Sequence, residues 1–450
     1  MADRAELRGP ASWPAVIAAL TWLVTFAMLQ WSVVRFEIAI VLTLTGAAAV
    51  LGWWQSRYAA RARDGRVVPR WLAPVVLLAS AAITWQVPLF SYLRAGALDA
   101  ARWAVTITAI AVAGLLWFGE RSRLANVAAY ASAVAGQLAL AVICIVGDPA
   151  PRIDVWVMLQ QASDVLADGG NIYTATWSES PGVKDAFTYL PWMAVLLAPG
   201  RWVAGDIRWM MLIWSLMVLW GVWLLARGHA HRAALAAGVL VVAPGTITQI
   251  DQAWTEPVLA ALLVGWAVLV QRGRMGWAIV VLALACASKQ HLVLLLPLMA
   301  LWRPFGWQRV LASAAVAGAL IAPFALRDLP AFVHDTVTLL VGFHPIRFAN
   351  TWFLYALNVH GMTPPFWATG AVTVAILAIA SVAIARRQPG LPEVLRWAAL
   401  VLLVANLVNK QAFYNQYWLV GALVLLALAA AAGPGATRSE QPQTRTAEMS

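Results

Sequence analysis

Apolar runs about long enough to cross a bilayer recur along the whole chain, and short polar segments separate them. Trp13 to Val34, Trp71 to Tyr92, Leu124 to Val146 and Trp209 to Ala226 are each about 20 residues, the length of a helix across roughly 30 Å of hydrocarbon. Ile38 to Trp54 and Pro257 to Val270 are shorter and suit tilted or broken helices. The pattern predicts an all-α polytopic membrane protein with about 14 crossings. The first run is too long for a signal-peptide core and lacks a small-residue cleavage site, so an uncleaved helix is expected there.

Two stretches depart from simple spanning. Phe187 to Ala204 is interrupted by Pro191 and Pro199, which predicts a segment that dips into the membrane without crossing. Trp277 to Trp302 is interrupted by Lys289, Gln290 and His291. Two short helices meeting at an outer turn fit better than one helix with an ammonium at its centre, which costs at least ~2.5 kcal/mol. The 434–450 tail is poor in apolar residues and is expected to be disordered.

Composition agrees. The 450 residues are 62% hydrophobic and 11% charged, with a mean hydropathy of +0.75. Soluble domains carry about 25% charged residues. The net charge of +11 does not point to nucleic acid, because the arginines punctuate apolar runs and do not gather on a soluble domain. Arg57, Arg61, Arg63, Arg66 and Arg70 place the 55–70 loop in the cytoplasm. Counting helices from there puts the 147–186 segment outside a cell inner membrane. Cys144 and Cys286 both lie within apolar runs and imply neither a disulfide nor a metal site.

The 147–186 loop carries the candidate chemistry. It holds Asp148, Asp154, Asp164, Asp168, Glu179 and Asp185, opposed only by Arg152 and Lys184. In its first half, Val155, Met158, Leu159, Ala162, Val165 and Leu166 share one helical face, and Gln160, Gln161, Asp164 and Asp168 share the other. That predicts an amphipathic surface helix ending at Gly169 and Gly170. Asp154 stands at its start, as an N-cap, a chemical group or both. Asp164 and Asp168 are expected to face water. In the second half, Tyr173, Trp177, Phe187 and Tyr189 alternate with polar groups, as sugar-stacking or interface-anchoring rings do.

An Asp just after a membrane helix, then a surface helix, Gly-Gly-Asn-Ile-Tyr at 169–173 and Phe-x-Tyr-x-Pro at 187–191 resembles the first outer loop of GT-C fold glycosyltransferases. The likeness is nearest to glycosyltransferase family 87, the polyprenol-phosphate-mannose-dependent branch. Ser-Lys-Gln-His at 288–291 before an apolar Pro-containing run, and the 409–420 segment, are similar to later parts of that family. The resemblance spans about Leu124 to Ala432, with residues 1–123 as additional N-terminal helices; the family places its catalytic loop after the first helix, whereas here about four precede it. It implies a GT-C-like bundle and an inverting hexosyltransferase, most simply a mannosyltransferase. The substrates would be a polyprenyl-phosphate sugar and a glycan or glycolipid acceptor of the cell envelope.

On that reading Asp154 is the catalytic base, and Lys289, His291, Arg347 and Lys410 are cations for the donor phosphate. Tyr173, Tyr189, Asp251 and Glu256 would contact sugar or acceptor. No cofactor is implied. A divalent ion is possible at Asp251 and Glu256, but two carboxylates do not indicate one. The bland alternatives are snorkelling for the cations and helix capping for Asp154. A transporter or flippase of lipid-linked sugars is the main competing class; internal repeats and paired midplane charges, its usual marks, are absent from the sequence. A non-catalytic assembly protein is a third.

Sidedness has a direct test. A Cys at Ser178, with Cys144 and Cys286 replaced by Ala, is expected to react with an impermeant thiol reagent in intact spheroplasts. Reaction only after lysis would invert the topology.

Overall fold

The computed structural model describes residues 13–61, 69–119 and 122–431. The arginines at 63 and 66, the side chains of Arg57 and Arg61, and the 434–450 tail lie outside the described residues. Among the described residues the chain is all-helical, with no strand. In order come α1 (Trp13–Trp31), α2 (Ile38–Arg61), α3 (Leu72–Gln86), α4 (Ala95–Phe118), α5 (Arg123–Gly147), α6 (Asp154–Ala167), α7 (Pro191–Ala204), α8 (Arg208–Leu225), α9 (Ala230–Val241) and α10 (Thr246–Asp251). Then follow α11 (Glu256–Gln271), α12 (Met275–Cys286), a 3-10 turn (Gln290–Leu295), α13 (Leu296–Leu301), α14 (Trp307–Ala325), α15 (Leu329–Val333), a π turn (His334–Thr338) and α16 (Leu339–Gly342). The chain closes with α17 (Trp352–His360), α18 (Phe366–Arg387), α19 (Leu391–Val408) and α20 (Tyr414–Ala430).

Among the described residues eight helices are long and apolar enough to cross a membrane: α1, α2, α4, α5, α8, α14, α18 and α19. The protein is therefore a multi-pass membrane protein. The count of about 14 is not reached by full-length helices. Several expected crossings are shorter, such as α3, α11, α12 and α20. Where a helix is enclosed by others it need not match the bilayer by itself, because its ends can be satisfied by protein. The breaks fall where expected. The helix pair α12 and α13 is interrupted at Lys289, and α7 starts at Pro191 and is only 14 residues long.

Burial separates centre from rim. In α11 nearly every residue is buried, as it is for a helix that is apolar all round. The α19 span is 67% buried and the α18 span only 11%, so α18 turns its apolar surface outward to lipid. Close crossings depend on missing side chains. A Cβ at Gly136 would collide with Thr108 of α4, and one at Gly221 with Val264 of α11. Small residues at such crossings let backbones approach where no hydrophobic drive separates helix from lipid.

The N-terminal helices are built into this frame. Gln30 of α1 is fully buried; its amide donates to Ile83 O at 3.2 Å and Val87 O at 2.9 Å and accepts from Gly245 N at 2.9 Å. It thus closes the α3 C-terminus and fixes the turn before α10. Asn350 does the same for the α1–α2 loop, accepting from Glu37 N at 2.9 Å and donating to Arg35 O at 2.8 Å.

Gln30→Leu leaves three buried backbone groups without that partner. We expect a loss of about 1–3 kcal/mol for each group left unpaired, read as a clear fall in melting temperature in detergent. An unchanged melting temperature would show that the α1 contact is incidental.

Candidate functional site

The acidic loop folds into the protein along most of its length. Helix α6 begins at Asp154 and ends at Ala167, capped by Asp168 and followed by Gly169, whose φ of +69° is the left-handed conformation expected of a glycine after a helix. Met158, Leu159 and Ala162 are buried as predicted. The opposite face is not simply wet. Gln160 is buried, accepting from Ile207 N at 3.0 Å and donating to Gly205 O at 3.0 Å. Asp164, expected to face water, takes both carboxylate oxygens to Arg201 of α7, at 2.8 and 2.9 Å. Asp168, Glu179 and Asp185 are exposed. A fork-to-fork pair needs an arginine that sequence spacing could not align with Asp164, because the loop intervenes.

The four aromatic residues turn inward too. Tyr173, Trp177, Phe187 and Tyr189 are all buried; Tyr173 and Trp177 each meet Phe187 edge to face, and Tyr189 lies tilted against it. Tyr173 donates its hydroxyl to Tyr189 O at 3.0 Å, and the Trp177 indole donates to Ala186 O at 2.9 Å. They hold the loop on itself. Tyr173 thus presents no ring face to a sugar, contrary to expectation; the alternation marked a mini-core.

Asp154 is the first helical residue, and the cap position belongs to Ile153. Its carboxylate accepts from the neighbouring Val155 N, at 2.8 Å. It is half-buried, and a side chain at Gly182 would begin 2.6 Å from its Oδ2. Burial raises its pKa above the ordinary carboxylate value, against the pull of the first helical N–H groups. Desolvation thus outweighs the helix terminus.

Two groups of residues flank Asp154. On one side, Asp251 at the end of α10 is fully buried. Its Oδ2 accepts from Ser91 Oγ at 2.8 Å and Tyr92 N at 2.7 Å, both from the loop after α3. Among the described residues its Oδ1 has no hydrogen-bond partner, and neither has Asp148 Oδ2. Burial drives the Asp251 pKa up to about 6 even though these two donors oppose it. The exposed Arg152 places its guanidinium 5.3 Å from the Tyr92 ring centre. Burial pushes the Tyr92 phenol up; Arg152 pulls it back, and Asp251, Asp154 and Asp148 push it further.

On the other side, Lys289 Nζ donates to Glu256 Oε1 at 2.6 Å and Thr255 Oγ1 at 3.2 Å. Lys289 keeps 12% of its side chain accessible while Glu256 has none. The ammonium lies 5.4 Å from the Tyr189 ring centre, and the Tyr189 hydroxyl feels both Glu256 and Asp154. His291 stands in electrostatic range of the same pair. The interrupted α12–α13 segment delivers all of this: extended backbone at Lys289 turns its side chain toward the α11 N-terminus.

Asp154, Asp251, Glu256, Lys289, His291 and Tyr189 therefore come together. Arg347 and Lys410 do not join them through any hydrogen bond or ion pair among the described residues. Lys410 donates to Val341 O and Phe343 O at 2.7 and 2.8 Å, capping α16. Arg347 is exposed, its carbonyl accepting from Asn358 at 2.8 Å.

Sequence reading missed Ser91, Tyr92, Arg208 and Asp335. Arg208 binds the Asp206 carboxylate at 2.6 Å, Asp148 O at 2.6 Å and Asp251 O at 3.4 Å. Asp335, in the π turn, accepts from Phe187 N at 2.7 Å and pairs with His334 at 2.9 Å. Only Asp335 had a local signal, a carboxylate in an apolar stretch. Among the described residues no three His, Cys, Asp or Glu side chains are grouped to hold a metal. No protein-family model, curated protein or solved structure matches the chain.

The raised Asp251 pKa has a stability consequence. The folded value of about 6 lies above the ordinary 3.8, so the ionised form is disfavoured in the fold. That cost is fully present above about pH 6, shrinks as pH falls, and is gone below the ordinary value. Asp251→Asn, which keeps an acceptor for Ser91 and Tyr92, is expected to stabilise the protein by on the order of 2 kcal/mol at neutral pH and by little at pH 4. Melting curves at the two pH values check the sign.

Proposed function

We propose that this protein is a membrane glycosyltransferase that moves a sugar, mannose in the simplest case, from a polyprenyl-phosphate carrier to an envelope glycan or glycolipid on the extracytoplasmic side. The observation that carries the reading is the setting of Asp154. It is a half-buried carboxylate with a raised pKa and few partners of its own, between a Lys–Glu pair with an aromatic ring and an Arg–Tyr wall. The outer-loop motif supports the reading independently. A base works best with a pKa near the operating pH, and burial moves Asp154 that way.

The acceptor hydroxyl gives its proton to a free Asp154 oxygen as its oxygen attacks the anomeric carbon. The bond from that carbon to the phosphate oxygen breaks, and the lipid phosphate leaves with the electron pair. A single displacement inverts the anomeric centre. The departing phosphate is already a weak base and needs positive charge nearby more than a proton donor. Lys289 has one N–H beyond those given to Glu256 and Thr255. His291 beside it adds a donor. Arg347 is exposed and free to move, and Lys410 is committed to helix carbonyls, which leaves it a supporting role. Tyr189 and Glu256 bound the sugar end, and Asp251 is closed in behind.

Asp154→Asn keeps the shape and removes proton acceptance. Transfer from labelled polyprenyl-phosphate mannose in membranes should fall about 10²-fold or more at unchanged protein level. Asp168→Asn, exposed at the far end of α6, should be neutral. Near-normal transfer by Asp154→Asn would sink its role as base, and no transfer by the wild type from any lipid-phosphate sugar would sink the activity.

A further inference from the structure

Two small cavities of the helix bundle, compared side by side, differ in chemistry. One, with about 10 Å³ of room for the centre of a water molecule, is walled by apolar side chains of α11, α13 and α19, including Trp266 and Met299. The other, with about 20 Å³, lies between α5, α8 and α10. Its wall includes Gln137, Arg208, Ser215 and Gln249, with Met211 and Trp254 beside them.

Gln249 decides the matter. It is buried, and among the described residues neither its amide nitrogen nor its amide oxygen has a hydrogen-bond partner. A buried amide without hydrogen bonds carries a heavy desolvation penalty. The side chain cannot easily turn away. Its helix, α10, is six residues long and is held at both ends by left-handed backbone, Gly245 at φ +89° and Ala253 at φ +53°. Dry cavities in proteins are apolar; a polar one of this size takes water when it offers two to four partners. Gln249 supplies a donor and an acceptor. Ser215, whose own proton goes to Met211 O at 2.9 Å, keeps lone pairs for another donor. Gln137, on α5, adds a second amide at the wall.

We propose that this cavity is a binding site for ordered water, which completes the hydrogen bonding of Gln249 and so fixes α10, the helix that carries Asp251. The space admits a water and excludes a sugar or phosphate. Arg208 joins the two features, because it lines the cavity and also donates to the Asp251 carbonyl. The water is a structural ligand of the carboxylate's support, independent of what the outer site transfers.

Radiolytic hydroxyl-radical footprinting tests this on the purified full chain in lipid nanodiscs. Radicals made from bound water oxidise the side chains they touch, including those that bulk solvent does not reach. Met211 and Trp254 are each 6% exposed, and Met299 and Trp266 are 3% and 1% exposed, so an aqueous radical scavenger is needed to remove the share of labelling that comes from bulk solvent. Oxidation of Met211 and Trp254 is expected several-fold faster than that of Met299 and Trp266. It should survive an aqueous radical scavenger and fall toward the Met299 rate in Gln249→Leu. Should that variant fail to accumulate, Ser215→Ala takes its place with the same expected direction. Equal rates at the two cavities would overturn the proposal, and so would labelling that the scavenger abolishes.

Discussion

A guanidinium shut away from solvent must find its partners inside the protein, and at Arg208 that requirement draws four segments together. The side chain is 1% exposed. It is neutralised by Asp206 and donates to the carbonyls of Asp148 and Asp251. Trp156 of α6 covers it at 5.9 Å and ties its own indole to Asp206 at 3.2 Å. The ends of α5 and α10, the start of α8 and the first turn of α6 therefore meet at one charge. Breaking a buried pair leaves an uncompensated ion and is far costlier than never having built it. The position of Asp154 beside Asp148 and Asp251 follows from that knot, although Arg208 touches none of the three carboxylates.

The same logic governs the N-terminal helices. They look in sequence like an addition in front of the remaining bundle, yet they help to place the partners of Asp251. Gln30 closes α3 and the Gly245 turn, and the loop after α3 then presents Ser91 and Tyr92 N to the carboxylate. In a low-dielectric interior a carboxylate is placed by whoever supplies its donors. The Lys289–Glu256 pair is placed in a parallel way: the break between α12 and α13 frees Lys289 from the helix lattice, and the α11 N-terminus receives it.

The loop that carries Asp154 is held from several sides. Arg201 grips α6 at Asp164, Arg327 donates to the carbonyls of Gly169 and Gly170 at 3.0 and 2.8 Å, and Asp335 and Gln290 bind the strand-like stretch at Phe187 and Thr188. The π turn that contains Asp335 is the kind of local irregularity helices adopt where a side chain must be re-aimed. A loop fastened this way is held by its buried aromatic residues, while Arg152, Lys184 and the acidic residues Asp168, Glu179 and Asp185 stay in solvent.

The sequence by itself determined the class of protein, the break at Lys289, and the extent of α6 with the glycines that follow it. Those are consequences of hydrophobic spacing, of glycine and proline stereochemistry, and of the cost of charge in an apolar run, all of which act locally. Only the tertiary structure decided what each group meets. It paired Asp164 with Arg201, buried Tyr173, spent Lys410 on helix carbonyls, made Asp154 a first-turn residue whose desolvation outweighs its helix, and brought in Ser91, Tyr92 and Arg208 from elsewhere in the chain. Electrostatic partners within a few ångströms are chosen by how helices cross, and the crossings depend on missing side chains such as those at Gly136 and Gly221. No pattern read along a single strand of residues contains that information, because it belongs to pairs of helices.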